Sequence, residues 1–165
     1  MIGTTLAGVA IALTILFLNL RKWWTGGRAL KDLIPTGQGL ITGAFSTVCV
    51  GGLAGWLSGC TRQATNLGGG KVVSGTTGTD SGGTIASGSL GSLTEEGGVV
   101  VFILFVATMA AYKAFSKEDK GRLIGSFVAG SILCATAGVA GMLNGLPEIA
   151  NSLGAEGAAF FGGQM

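Results

Sequence analysis

The side chains able to do chemistry are few: three cysteines, eight carboxylates and no histidine in 165 residues. Without histidine the most frequent general base, the Ser-His triad and the histidine-bearing zinc sites are all missing. Cys49, Cys60 and Cys134 form no CxxC pair. Asp32, Asp80, Glu95, Glu96, Glu118, Asp119, Glu148 and Glu156 all fall in loops outside the apolar runs. No carboxylate is therefore buried where low dielectric would tune it, and Glu95-Glu96 reads as a solvated boundary before an apolar run. Gly68-Gly69-Gly70-Lys71 lacks the glycine and the Ser/Thr of a phosphate loop, because Thr65 and Val72 occupy those places. A non-enzymatic chain without cofactor or metal is expected.

One cysteine stands apart. Leu57-Ser58-Gly59-Cys60 resembles the lipobox at which bacterial prolipoproteins are cleaved and lipidated, and a Gly/Ser-rich tether follows it. The resemblance implies Cys60 as a possible lipidation site, although a whole apolar segment lies upstream. Cys49 and Cys134 sit inside apolar segments, where cysteine behaves as a small hydrophobe. That leaves Cys60 as the candidate for an intermolecular disulfide.

The elements that carry these residues are apolar. The chain is 48% hydrophobic and 11% charged, with 32 glycines and a mean hydropathy of +0.62; soluble domains carry about 25% charged residues. A net charge of +2 gives no reason to expect nucleic acid as a partner. Four apolar segments stand out: Ile2 to Leu20, Leu40 to Leu57, Val99 to Phe115 and Leu123 to Leu146. A spanning helix needs about 20 such residues, and backbone in hydrocarbon must satisfy its own hydrogen bonds. The fold expected is an all-α polytopic membrane protein of about four transmembrane helices in two hairpins. The first hairpin covers 1–59, a Gly/Ser/Thr-rich extracytoplasmic loop 60–98, the second hairpin 99–146 and an extracytoplasmic tail 147–165. Within the loop, Lys71-Val72-Val73 and Thr84-Ile85-Ala86 are candidate strands of one hairpin. Pro147-Glu148 is placed to start a short amphipathic helix.

A ladder of small residues at spacing four, Gly39, Gly43, Thr47, Gly51, Gly55 and Gly59, marks one face of the second segment. In lipid such a face lets two backbones approach closely. Ser126, Gly130, Cys134 and Gly138 repeat the spacing in the fourth segment. These are the expected packing helices, either against each other within one chain or between copies. The first segment carries only Thr4, Gly8 and Ala12 at this spacing, and the third is bulky all round, so both are expected at the periphery.

Eight of the ten basic residues flank two turns: Arg21, Lys22, Arg28 and Lys31 in the first, Lys113, Lys117, Lys120 and Arg122 in the second. The positive-inside rule places both turns in the cytoplasm and both termini outside. Trp23 and Trp24 beside Arg21 and Lys22 suit the inner headgroup region, Trp56 suits the outer one, and Lys113 can snorkel from its helix end. The expected location is a bacterial or phage-encoded inner membrane.

Each half, a helix, a basic cytoplasmic turn and a second helix with both ends outside, is similar in topology to conjugative pilins of type IV secretion systems, over residues 2–59 above all. The resemblance implies a self-associating structural subunit of an envelope-spanning secretion, conjugation or virion-associated assembly, with a homo-oligomer, the bilayer and other membrane subunits as partners. A holin-like pore-former and a small channel or carrier for a neutral solute are the alternatives.

Overall fold

The structure, a computed structural model, describes residues 4–80, 83–88 and 90–162, and these are mostly helical. A two-residue strand β1 (Thr4–Thr5) leads into α1 (Leu6–Thr25). A 3-10 turn at Leu30–Leu33 leads into α2 (Ile34–Val48), and α3 (Gly52–Thr77) follows. Strand β2 (Thr84–Ile85) precedes α4 (Glu95–Ala114), α5 (Lys117–Leu133), the short α6 (Ala137–Met142) and α7 (Leu146–Phe161).

The helix starts are written in the sequence. Thr5, Thr94 and Ser116 are N-caps whose hydroxyls accept from the backbone N–H of Gly8, Gly97 and Asp119. Glu95 and Glu96 lie in the first turn of α4 and Lys113 in its last, the favourable arrangement for the helix dipole. Pro35 and Pro147 occupy the first turns of α2 and α7, where the missing N–H does no harm.

Two of the four expected spans are interrupted. α1 and α4 are long and apolar enough to cross a membrane; α2 and α3 make a third span only if taken together, and they are bent by 104°. With 15 residues, α2 is about 22 Å long against a hydrocarbon core of about 30 Å. The second segment breaks because Gly52 takes a left-handed φ of 69°, a conformation glycine reaches without a Cβ penalty. Cys49 and Gly51 before it are extended. In the fourth segment α5 stops at Leu133 and Thr136 is extended. There the chain at 86–88 supplies partners for the interrupted backbone: Gly88 N–H donates to Ala135 O and Ala137 N–H to Ala86 O, both at 3.0 Å. The expectation of four continuous spans is corrected to two, or three with the bent pair.

The expected 60–98 loop is also corrected, since its first part, through Thr77, continues α3. Lys71-Val72-Val73 is helical there, and Thr84-Ile85 pairs antiparallel with Thr4-Thr5 instead.

The contacts repeat across the two halves. α2 and α5 run parallel: Gly39 faces Leu123 and Phe127, and Gly43 faces Phe127 and Ser131. α1 lies antiparallel on α5, with Asn19 beside Arg122 and Ser126 and Ala12 clustered with Ala129 and Ile132. α4 lies on α2 in the same sense, through Thr108 with Thr42 and Val101 with Phe45. This is the pattern of a pseudo-two-fold axis between α2 and α5. α3 closes on α1 and α7 on α4, completing the correspondence.

Candidate functional site

The small-residue seam between α2 and α5 is the best-defined feature of the molecule. A Cβ placed on Gly39 would overlap the carbonyl oxygen of Leu123, one on Gly43 that of Phe127, and one on Gly130 that of Leu40. Bare backbone therefore lies against backbone along the seam, and this approach needs glycine at all three places. Hydroxyls buried there find partners on their own helix. Thr42 Oγ1 donates to Gln38 O at 2.8 Å, Ser46 Oγ to Gly43 O at 2.6 Å and Ser131 Oγ to Val128 O at 3.0 Å. Ser126 is fully buried and accepts from Asn19 Nδ2 at 3.1 Å.

The rest of the ladder lies elsewhere. Thr47 is half-buried and donates to Ala44 O. Gly51 sits at the break with open space beside it, and Gly55 approaches the Cys49 carbonyl across the bend. Gly59, on α3, has nothing within 4 Å of an added Cβ, and neither has Gly138 on α6. Cys134 is buried with Ala44, Val48 and Ala140. The six positions thus do not form one continuous face, because the helix that would carry them turns at Gly52.

The chain matches no protein-family model, no characterised protein and no solved structure.

The two basic turns converge at one end of the bundle. Lys22 Nζ lies 3.8 Å from Glu118, and Arg122 Nη1 donates to the Asp32 carbonyl at 3.3 Å. Trp23 Nε1 donates to Ala29 O at 3.0 Å, while the Arg28 guanidinium stacks 3.9 Å over exposed Trp24. Arg21, Lys22 and Lys113 are exposed at the same ends of α1 and α4. Trp56 and Cys60 are exposed on α3, inside the helix rather than at its boundary. Among the described residues no group of acids or cysteines is placed to hold a metal ion.

Two asparagines that spacing and composition do not single out bind the helix starts. Asn66 Oδ1 accepts from Thr5 N at 3.1 Å and Thr5 Oγ1 at 3.0 Å. Asn151 Oδ1 accepts from Thr94 N at 2.9 Å and Thr94 Oγ1 at 3.3 Å. Three residues on, Gly69 meets the Ala7 backbone and Gly154 the Glu96 backbone. The signal that points to them is an internal repeat. Gly52-Leu53-Ala54-Gly55-Trp56-Leu57-Ser58-Gly59 matches Gly138-Val139-Ala140-Gly141-Met142-Leu143-Asn144-Gly145 at every glycine, the alanine and the second leucine. Asn-x-x-Gly comes after it in both halves.

Proposed function

We propose that this chain is a non-enzymatic structural subunit that associates within a bacterial or phage-encoded inner membrane, with copies of itself and with other subunits of a secretion, conjugation or virion-associated assembly. One flank of α3 carries this reading. Gly59 and Gly70 meet no atom within 4 Å of an added Cβ, and about three helical turns bring both to the same side. Exposed Trp56 and Leu67 lie beside them. Glycines with no neighbour in the monomer leave room for the backbone of another helix, which is how helices associate where lipid offers no hydrophobic drive.

The surroundings favour the same reading. Only 17% of the most apolar window of α1, and the same share of that of α4, is buried in the packed interior. The two helices present Leu13, Phe17, Phe102 and Val106 outward, surface that hydrocarbon can cover. The joint basic end faces the cytoplasm by the positive-inside rule, with both termini on the other side.

The test is oxidative cross-linking in native membranes through exposed Cys60, in a Cys49→Ala/Cys134→Ala background. Disulfide-linked dimers, extended to larger species by an amine-reactive cross-linker, are expected. A chain recovered solely as monomer by both reagents overturns the reading.

A further inference from the structure

Between the last turns of α1 and the first turns of α5 lies a cavity of about 690 Å³. Its rim carries Arg21, Lys22, Lys117 and Arg122 against one acid, Glu118, while Ile15 and Leu18 line it on the α1 side. Asp119 adds a second negative charge through its contact with Arg122 at 3.8 Å, and the cluster remains net positive. We propose that this cavity binds the headgroup phosphate of an anionic phospholipid, with an acyl chain lying along Ile15 and Leu18.

Arg122 is the reason for a phosphate. Its side chain is only 13% exposed, and a guanidinium offers five N–H donors. Among the described residues its side chain makes one direct hydrogen bond, from Nη1 to Asp32 O. The carboxylates of Glu118 and Asp119 stand off at 3.7 and 3.8 Å. A buried cation this incompletely satisfied favours an additional anionic acceptor. Gly121, with open space where a side chain would stand, keeps the cavity mouth wide.

Two further observations separate a lipid from a soluble anion. The cavity combines a cationic rim with apolar residues of a helix long enough to span the bilayer, the layout of headgroup sites between transmembrane helices. It also breaks the pseudo-two-fold relation. Where α5 opens with Lys117-Glu118-Asp119-Lys120-Gly121-Arg122, α2 opens with Ile34-Pro35-Thr36-Gly37-Gln38 and no charge at all. The cations that α5 contributes have no counterpart on the first turns of α2, so the repeat architecture alone does not account for them.

The proposal rests on membrane embedding and not on self-association, so it is measured on the monomer peak. The full chain is reconstituted with equal amounts of phosphatidylglycerol and phosphatidylcholine, extracted in mild detergent and examined by native mass spectrometry. Retention of phosphatidylglycerol over phosphatidylcholine by about tenfold is expected, the scale of one to two surface cations acting together. Arg122→Gln removes the preference. Because that change also frees the Asp32 carbonyl, the exposed pair Arg21→Gln/Lys117→Gln and the cavity-filling Gly121→Leu are measured beside it, with circular dichroism reporting the fold. Each lowers the preference several-fold while helicity is kept. Equal retention of both lipids by the unaltered chain overturns the proposal, as does undiminished selectivity in the double variant. Displacement of phosphatidylglycerol by millimolar inorganic phosphate overturns it too, in favour of a soluble phosphate site.

Discussion

Asn151 Oδ1 receives both the backbone N–H and the hydroxyl of Thr94, at 2.9 and 3.3 Å, and Thr94 in turn caps α4. One asparagine thereby fixes where an apolar helix begins and how α7 lies on it. Asn66 does the same for Thr5 and α1. The amide oxygen cannot be replaced by a hydrocarbon without leaving the cap's own N–H unpaired. Asn66→Leu and Asn151→Leu are therefore expected to lower stability by about 1–3 kcal/mol each. Asn66 is the costlier, because its bonds are the less exposed pair. Urea titration in micelles, monitored by helicity, reads both; unfolding midpoints equal to that of the unaltered protein would show that the clamps add nothing to stability.

The seam makes a sharper distinction. At Gly39, Gly43 and Gly130 an added methyl meets backbone, which cannot turn aside, whereas at Gly51 and Gly59 it meets nothing. Alanine at any of the first three is expected to cost about 1–3 kcal/mol by overpacking. Alanine at Gly59 gains helix propensity, up to about 1 kcal/mol. Thermal unfolding of the five single variants in the same detergent should separate them by sign; uniform destabilisation would mean the ladder acts as a single face after all.

Much of this fold is legible in the residues. Thr5, Thr94 and Ser116 announce their helices as caps, Pro147 announces α7, and the two basic clusters come together at one end as Lys22 and Glu118 meet. The break at 49–52 is not legible, since Gly51-Gly52 reads the same whether a helix uses it to pack or to turn. Residues 60–77 mislead for another reason. Their Gly, Ser and Thr content has low helix propensity, yet α1 holds them helical through Thr5 with Asn66 and Ala7 with Gly69, contacts remote in sequence. The seam residues Gly39, Gly43, Ser126 and Gly130 are visible from spacing alone, but the remainder of the ladder depends on a bend that spacing does not encode. The asparagine clamps become readable only once the halves are aligned on Gly52–Gly59 and Gly138–Gly145, with one residue fewer leading to Asn151 than to Asn66.

The bend itself is testable. Gly52 holds φ at 69°, a region in which a Cβ costs about 1–2 kcal/mol, and no neighbour lies within 4 Å to obstruct one. Gly52→Ala therefore acts on backbone conformation alone. A straighter α2–α3 pair should result, carrying Leu57 away from Phe127, Tyr112 and Ile124, with which it shares an apolar cavity of about 260 Å³. A spin-label distance between positions 40 and 63 should lengthen in the variant, and an unchanged distance would show that the turn is imposed by packing and not by glycine.

Orientation can be read from where the thiols lie. If both basic turns face the cytoplasm, α2 runs outward and delivers the start of α3 to the opposite side. Cys60 is exposed on α3 while Cys134 is buried. A membrane-impermeant maleimide added to intact cells should thus label Cys60 and spare Cys134, and Cys60→Ser should abolish the signal. A cysteine introduced at exposed Lys31, in a Cys60→Ser background, should react only after the membrane is opened. The reverse pattern would place the basic end outside, against the distribution of eight cations to two, and would move the phospholipid cavity to the other leaflet.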